Sequence, residues 1–302
     1  MSAQSYNRCP RCGNENRGGS YACSFCGKRL RIEKIESISI FKRIETEWST
    51  PAPWYLKILW LFIRPNKAFW DINHKRDKAP GNLIILFNAL IYGLMGIAYL
   101  SHFVIPDPFM SFLFSLSVFV AFFMMGLMFN YIFGRLLIWF FIKGANSAVG
   151  FSKILETRFG GDTQKETYRE AEMSPFSIYK GGTLHQQAAK KYKMMYCAFT
   201  PFLIINLIET LIIFMGFPTV TLTLPITGII NPTVFAPMFN SPTWAVLHAI
   251  DALTIAIWIP ILVTLAIREL SNSSTVRVLF ASFAIGILTA IIVFFLRPSF
   301  LP

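Results

Sequence analysis

Five stretches of this sequence are apolar for long enough to cross a lipid bilayer, which takes about 20 residues in helical form. They lie near residues 82–105, 109–142, 194–217, 244–269 and 276–297. A chain with five such runs has lipid as its main solvent, because no soluble domain can bury them all. Composition agrees. Hydrophobic residues make up 54% and charged residues 15% of the 302 residues, against the roughly 25% charged residues of a soluble globular domain. That deficit excludes an ordinary cytosolic enzyme and a disordered chain. The second run covers residues 109–142 and would be about 51 Å long as one helix, well over a hydrocarbon core of roughly 30 Å. It is expected either to protrude from the membrane or to bend near Gly134.

Orientation follows from where Lys and Arg fall. Fifteen precede the first run, nine lie between Lys143 and Lys193, and Arg268 and Arg277 bracket the last connection. The loop around Pro106-Asp107-Pro108 has none, nor does the stretch 218–243. With five spans, 26 of the 28 basic residues share one side, the exceptions being Arg135 and Arg297. The amino terminus is therefore expected in the cytoplasm and the carboxy terminus outside. This asymmetry accounts for the net charge of +12 without nucleic acid, and an anionic cytoplasmic leaflet is the matching partner. The first 30 residues are polar, so a cleavable signal peptide is not expected.

Between the polar start and the first run lies a short apolar segment, 53–72, interrupted by Pro65. It is too short to span. Trp54, Tyr55, Trp60 and Trp70 are residue types that sit at headgroup depth, and Lys57, Arg64 and Lys67 are placed to reach anionic lipid. It reads as a helix lying in the interface, a turn at Arg64-Pro65, and a second short helix. A sixth, partly inserted span is the other reading. The loop 218–243 is uncharged and expected to fold back over the outer helix ends; the loop 144–193 is polar. No internal repeat is visible.

The clearest chemistry is at the amino terminus, where Cys9-Pro10-Arg11-Cys12-Gly13 is followed by Cys23-Ser24-Phe25-Cys26-Gly27. Each Cys-x-x-Cys pair makes a turn whose two thiolates reach one metal, and Gly after the second Cys relieves the backbone. Four thiolates complete a tetrahedral shell for Zn²⁺. Cys9, Cys12, Cys23 and Cys26 are thus expected to hold one structural Zn²⁺ in a minimal ribbon over residues 1–30, with metal binding supplying the folding energy. Two redox pairs and an iron centre are the alternatives. The fifth cysteine, Cys197, reads as a small buried hydrophobe.

Polar groups within the spans are costly and are functional candidates by default. Glu209 in the third span and Asp251 in the fourth lie at about 12 and 10 Å from the outer ends. Asn206 shares a helix face with Glu209, and His248 with Asp251. The stratum could carry a proton or a cation; interhelical hydrogen bonding is the plainer reading. Asn88, Asn130 and Arg135 form a second candidate layer nearer the cytoplasm, with Arg135 placed to snorkel toward headgroups. No Gly-x-Ser-x-Gly, phosphate loop or His-Glu-x-x-His is present, so no enzyme activity is expected. His74 and His185 read as surface residues.

From Trp54 to about residue 297 the chain resembles the Yip family of Rab-GTPase-interacting membrane proteins, in its prokaryotic branch. Three places carry the likeness: Ile63-Arg64-Pro65-Asn66-Lys67-Ala68-Phe69-Trp70-Asp71-Ile72 before the first span; Lys191 to Phe202, with Tyr196 and Pro201, opening the third; and Trp244 leading to a span, a short loop at Ser271 to Thr275 and a last span. The resemblance implies five helices with a cytoplasmic amino terminus, a role in vesicle-mediated transport or membrane organisation through protein contacts, and a small GTPase as one class of partner. A zinc ribbon stands here in place of the long cytoplasmic region of eukaryotic relatives.

The expected fold is an all-α polytopic membrane protein of five transmembrane helices with a small N-terminal four-cysteine zinc ribbon. Its parts are a ribbon over 1–30, a linker over 31–52, interfacial helices over 53–81 and the five-helix domain over 82–302. The expected function is a membrane adaptor or scaffold that recruits a protein partner through the ribbon and basic face, with self-association into an oligomer left open. The alternative is a small proton or cation transporter using the Glu209, His248 and Asp251 layer.

Overall fold

The computed structural model describes residues 7–16, 20–44, 50–74, 79–105, 107–149, 192–221 and 236–295. Most of the loop 144–193 and the middle of the loop 218–243 lie outside the described residues, as do His185 and Arg297.

Five helices are long and apolar enough to cross a membrane: Gly81–Leu100, Pro108–Ala145, Tyr192–Gly216, Thr243–Ser271 and Thr275–Phe295. These make the chain a polytopic helical membrane protein. The second helix continues without a break to Val149 and has 42 residues. It is continuous through Gly134, and at about 63 Å of length it exceeds a hydrocarbon core of roughly 30 Å. Most of its apolar side chains are exposed, as suits a helix bathed in lipid.

Two prolines shape the third and fourth spans. Proline lacks an N–H, and its ring crowds the carbonyl four residues back. Before Pro201 the helix tightens into a 3₁₀ turn over Cys197–Phe199, and the Thr200 hydroxyl donates to the Cys197 carbonyl at 2.6 Å. Before Pro260 the helix widens instead, into a π turn over Thr254–Trp258, with the Thr254 hydroxyl donating to the Ile250 carbonyl at 2.8 Å. Such widened turns are one recognised way for a helix to absorb a local misfit.

Two compact units are distinguished, and each span contributes residues to both. In the unit containing residues 83–135 and 201–258, the first and second spans pack rings onto glycines. A Cβ at Gly93 would lie 2.6 Å from Phe119, and one at Gly96 would lie 2.7 Å from Phe122. Close approach over small residues is the usual way helices associate in lipid. At one end, β3 (Phe103–Val104) pairs in parallel with β4 (Val220–Thr221). An aromatic cluster of Tyr99, Phe217 and Trp244 packs there, the Tyr99 and Trp244 rings stacked at 5.6 Å.

The unit containing residues 1–82, 136–200 and 259–285 holds the cysteine-rich module. Here β1 (Asn7–Arg8) pairs antiparallel with β2 (Glu15–Asn16), and Ala22 bridges to Arg29. Two helices follow, α1 (Trp54–Ile63) and α2 (Pro65–His74), broken at Arg64 as Pro65 demands. The amphipathicity of α1 is inside out. Lys57 and Leu61 are buried, whereas Trp54, Tyr55, Leu59 and Ile63 are 48%, 61%, 50% and 66% exposed. A helix whose cation faces inward and whose apolar stripe faces outward is matched to an apolar surrounding, not to water.

That inversion corrects the expectation that Lys57 reaches anionic lipid. Its Nζ lies 3.4 Å from Asp71 Oδ2, and both side chains are buried. Trp70, expected at headgroup depth, is 2% exposed and stacks on His74 at 4.9 Å. Lys67 lies over the Trp60 ring at 4.0 Å.

Candidate metal centre and its docking

Each Cys-x-x-Cys turn is built the same way. The N–H of Gly13 donates to the Cys9 carbonyl at 2.9 Å, and the N–H of Gly27 donates to the Cys23 carbonyl at 3.0 Å. Gly13 and Gly27 have φ of 72° and 70°, a left-handed conformation that glycine adopts without penalty. The turns are closed by Cys9 N–H to the Asn14 carbonyl and Cys23 N–H to the Lys28 carbonyl. Two copies of one knuckle thus face each other.

The ligand atoms of Cys9, Cys12, Cys23 and Cys26 all lie within 4.8 Å of one another. Sγ of Cys9 is 3.6 Å from Sγ of Cys26, and Sγ of Cys12 is 3.6 Å from Sγ of Cys23. Those separations are far beyond a disulfide bond of about 2.05 Å. They match the edge of a sulfur tetrahedron around a metal at about 2.3 Å, roughly 3.8 Å. The backbone N–H of Phe25 and the Asn16 amide both donate to the Cys23 sulfur, at 3.4 and 3.5 Å, supplying the outer hydrogen bonds that thiolate ligands take.

Burial pushes the Cys9 thiol up, but backbone N–H groups of Cys12 and Arg11 and the neighbouring thiols outweigh it and bring it down to about 7. Burial pushes the Cys26 thiol up, and the nearby Cys12 and Cys9 push it further the same way. Thiols this close do not all ionise together unless a cation sits among them. The set can therefore hold one metal ion. Among the described residues it is the one group of three or more His, Cys, Asp or Glu residues converging in this way.

The module is fastened to the helix ends. Asn272, in the turn between the fourth and fifth spans, accepts the Ala22 N–H on its Oδ1 at 2.8 Å and donates from Nδ2 to the Ala22 carbonyl. Its φ of 52° is one that Asn tolerates better than most residues. On the other side, Gly27 lies so close to the Trp70 indole of α2 that no Cβ would fit.

Residues 31–44, expected as part of a linker, carry a second fastening. The Glu36 carboxylate takes Arg43 Nε at 2.7 Å and the Thr275 hydroxyl at 3.0 Å. Arg43 also donates to the Ser273 carbonyl at 2.8 Å. Glu33 accepts the Ser274 hydroxyl at 2.6 Å and the Val276 N–H at 3.1 Å. Two carboxylates therefore meet the first turn of the last span, where free N–H groups and the helix dipole favour negative charge. Arg268 is fully buried, donating to the Phe41 carbonyl and, at 3.1 Å, to Glu269. Asn66 donates to the carbonyls of Ser39 and Lys42 at 3.1 and 3.0 Å.

The intramembrane candidates divide differently from the expectation. Asn88 belongs with Asn206: the two amides bond at 3.2 Å between the first and third spans, both buried. Asn130 donates to the Gly126 carbonyl within its own helix, and Arg135 donates to the Tyr131 hydroxyl one turn away. Glu209 is buried, on the helix Pro201–Gly216 that packs against Thr243–Leu253, which carries Asp251. His248 stacks on Trp244 at 6.2 Å. Tyr92 and Tyr99 pack on the apolar cluster of Ile213 and Leu247, one turn from Glu209 and Asp251 respectively; no spacing in the sequence points to them. Cys197 is buried, its thiol directed at the Lys193 carbonyl.

No family model, curated protein or solved structure matches the chain.

Proposed function

We propose that this chain is an integral membrane adaptor whose ribbon, loaded with one structural Zn²⁺, forms a rigid cytoplasmic platform on the ends of its helices and there recruits a protein partner. The supporting observation is the two-point bond of Asn272 to Ala22, reinforced by Glu33, Glu36 and Arg43. A module tied down this way presents a surface fixed relative to the helix ends it grips. Arg8, Arg11, Arg31, Lys34 and Lys42 are exposed on it, beside Ile32 and Ile38 at 71% and 53% exposure, a mixed basic and apolar surface suited to protein contact. Four protein thiolates leave no position on the metal for water, so the ion holds the fold and does no chemistry. The α1 helix lies in the lipid interface, with its apolar stripe in the membrane. The amino terminus is cytoplasmic and the carboxy terminus external, on the distribution of Lys and Arg. The Yip resemblance extends this reading to membrane organisation or vesicle traffic, with a small GTPase as a candidate partner.

Chemical crosslinking and co-purification from native membranes, with the full chain and with a chain lacking residues 1–30, test the reading. A partner captured by the first and lost from the second supports it. An identical set of captured proteins from both contradicts it.

A further inference from the structure

Two buried acceptor oxygens in the third span have no hydrogen-bond donor. Asn206 is 1% exposed; its Nδ2 is committed to Asn88, and its Oδ1 is without a partner. Glu209, three residues on and thus on the same helix face, is 5% exposed, and its Oε1 is likewise without one. Buried acceptors are satisfied almost everywhere in proteins, and more so in lipid, where no bulk water is at hand. Asp251, partly buried, brings a second carboxyl on the helix Thr243–Leu253, which packs against Pro201–Gly216. The depths agree: Glu209 is seven residues from Gly216 and Asp251 eight from Thr243, or about 10 and 12 Å.

We infer that Asn206, Glu209 and Asp251 form an intramembrane site that exchanges one proton for one Na⁺. What the orphan oxygens lack is a donor or a cation. A carboxylate and an amide oxygen are hard ligands that suit an alkali or alkaline-earth ion and not a soft transition metal. Ca²⁺ takes six to eight oxygens and Mg²⁺ keeps several of its waters, a larger shell than this set offers. A monovalent ion is the one whose charge a pair of carboxyls holding a single proton balances.

Charge sets the stoichiometry. Two carboxyls at one depth on packed helices do not both stay ionised uncompensated in an apolar layer. With two protons the pair is neutral; with one proton and one Na⁺ it is neutral again, so one ion replaces the other without a net change. Among the described residues, the other titratable side chains near the pair are the Tyr92 and Tyr99 phenols of the first span, packed on the apolar cluster of Ile213 and Leu247 one turn from each carboxyl, and His248 of the fourth, stacked on Trp244 at 6.2 Å. His102 is engaged with the Ile213 carbonyl at 2.8 Å. The Asn88 amide fixes the rotation of Asn206 and so aims its oxygen; it is a positioning residue.

Dicyclohexylcarbodiimide, an apolar reagent that modifies protonated carboxyls in membranes, reads the site directly. The purified full chain is treated near neutral pH at constant ionic strength, with Na⁺ or with choline, and labelling at Glu209 is followed by mass spectrometry. The expected result is labelling at Glu209 that Na⁺ slows by about tenfold, the scale on which tight occupancy competes with protonation. In N206L, labelling persists while the Na⁺ effect is lost; retained metal content and a cooperative unfolding transition show that this variant is folded. Labelling that responds to pH but is equal in Na⁺ and choline overturns the inference and leaves the pair holding structural protons. Absence of labelling at Glu209 in choline overturns it as well.

Discussion

The Asn272 side chain grips both polar groups of the Ala22 backbone, across 250 residues of sequence. An amide so placed acts as one more rung of a β ladder, holding the turn between the last two spans against the segment that joins the two cysteine pairs. N272G keeps the left-handed backbone but removes both bonds. Two hydrogen bonds at roughly 1 kcal/mol each make docking weaker by about 2 kcal/mol. Limited proteolysis should therefore cut the 20–44 region faster in this variant, while metal content stays at the wild-type level.

Metal removal follows a different course. Cys23 is 1% exposed and accepts two hydrogen bonds on sulfur, so C23S loses the ligand best embedded in the module. Elemental analysis should find about one Zn per chain in the wild type, the stoichiometry of one tetrahedral site, and far less in C23S. The five spans should survive in both, as read by helical circular dichroism in detergent.

The Lys57–Asp71 pair is a further point of sensitivity to substitution. Each partner is buried, so removing one strips the other of its buried counter-charge, at a cost of about 3 kcal/mol or more. K57M and D71N should each lower the unfolding temperature in detergent clearly, whereas K57M combined with D71L recovers much of the loss. A loss in the double variant equal to the sum of the two single losses would show that the pair is not coupled.

Much of this architecture is legible in the sequence, and what is not has a common cause. The five spans appear as runs because lipid imposes a length and a composition on each one separately. The four thiols appear because metal coordination imposes a spacing within a short segment. What stays hidden is every contact whose partner is distant. Glu33, Glu36 and Arg43 read as ordinary charges of a polar connector until the first turn of the last span is placed beside them. Lys57 reads as an interfacial cation because its neighbours in sequence are apolar; that Asp71 waits on the next helix is a fact of packing. Depth alone groups Asn88 with Asn130 and Arg135, and depth does not say which neighbour faces which.

Topology gives a prediction independent of the metal. With 26 of 28 Lys and Arg residues assigned to one side, a cysteine introduced at Thr227 in a chain lacking Cys197 should be labelled from outside the cell by a membrane-impermeant maleimide. Labelling of that position only after the membrane is permeabilised would reverse the orientation.

If the metal organises the ribbon, and the ribbon in turn holds the helix ends, then stripping the metal must loosen both. Hydrogen–deuterium exchange of the full chain in detergent, with and without a zinc chelator, reads the two regions in one experiment. Chelation should accelerate exchange in the module, at Ala22 and Gly27, and also in the distant turn from Ser271 to Val276, with little change in the middle of the spans. Faster exchange confined to the cysteine segment, with Ser271 to Val276 unaffected, would refute the coupling between metal and helix ends.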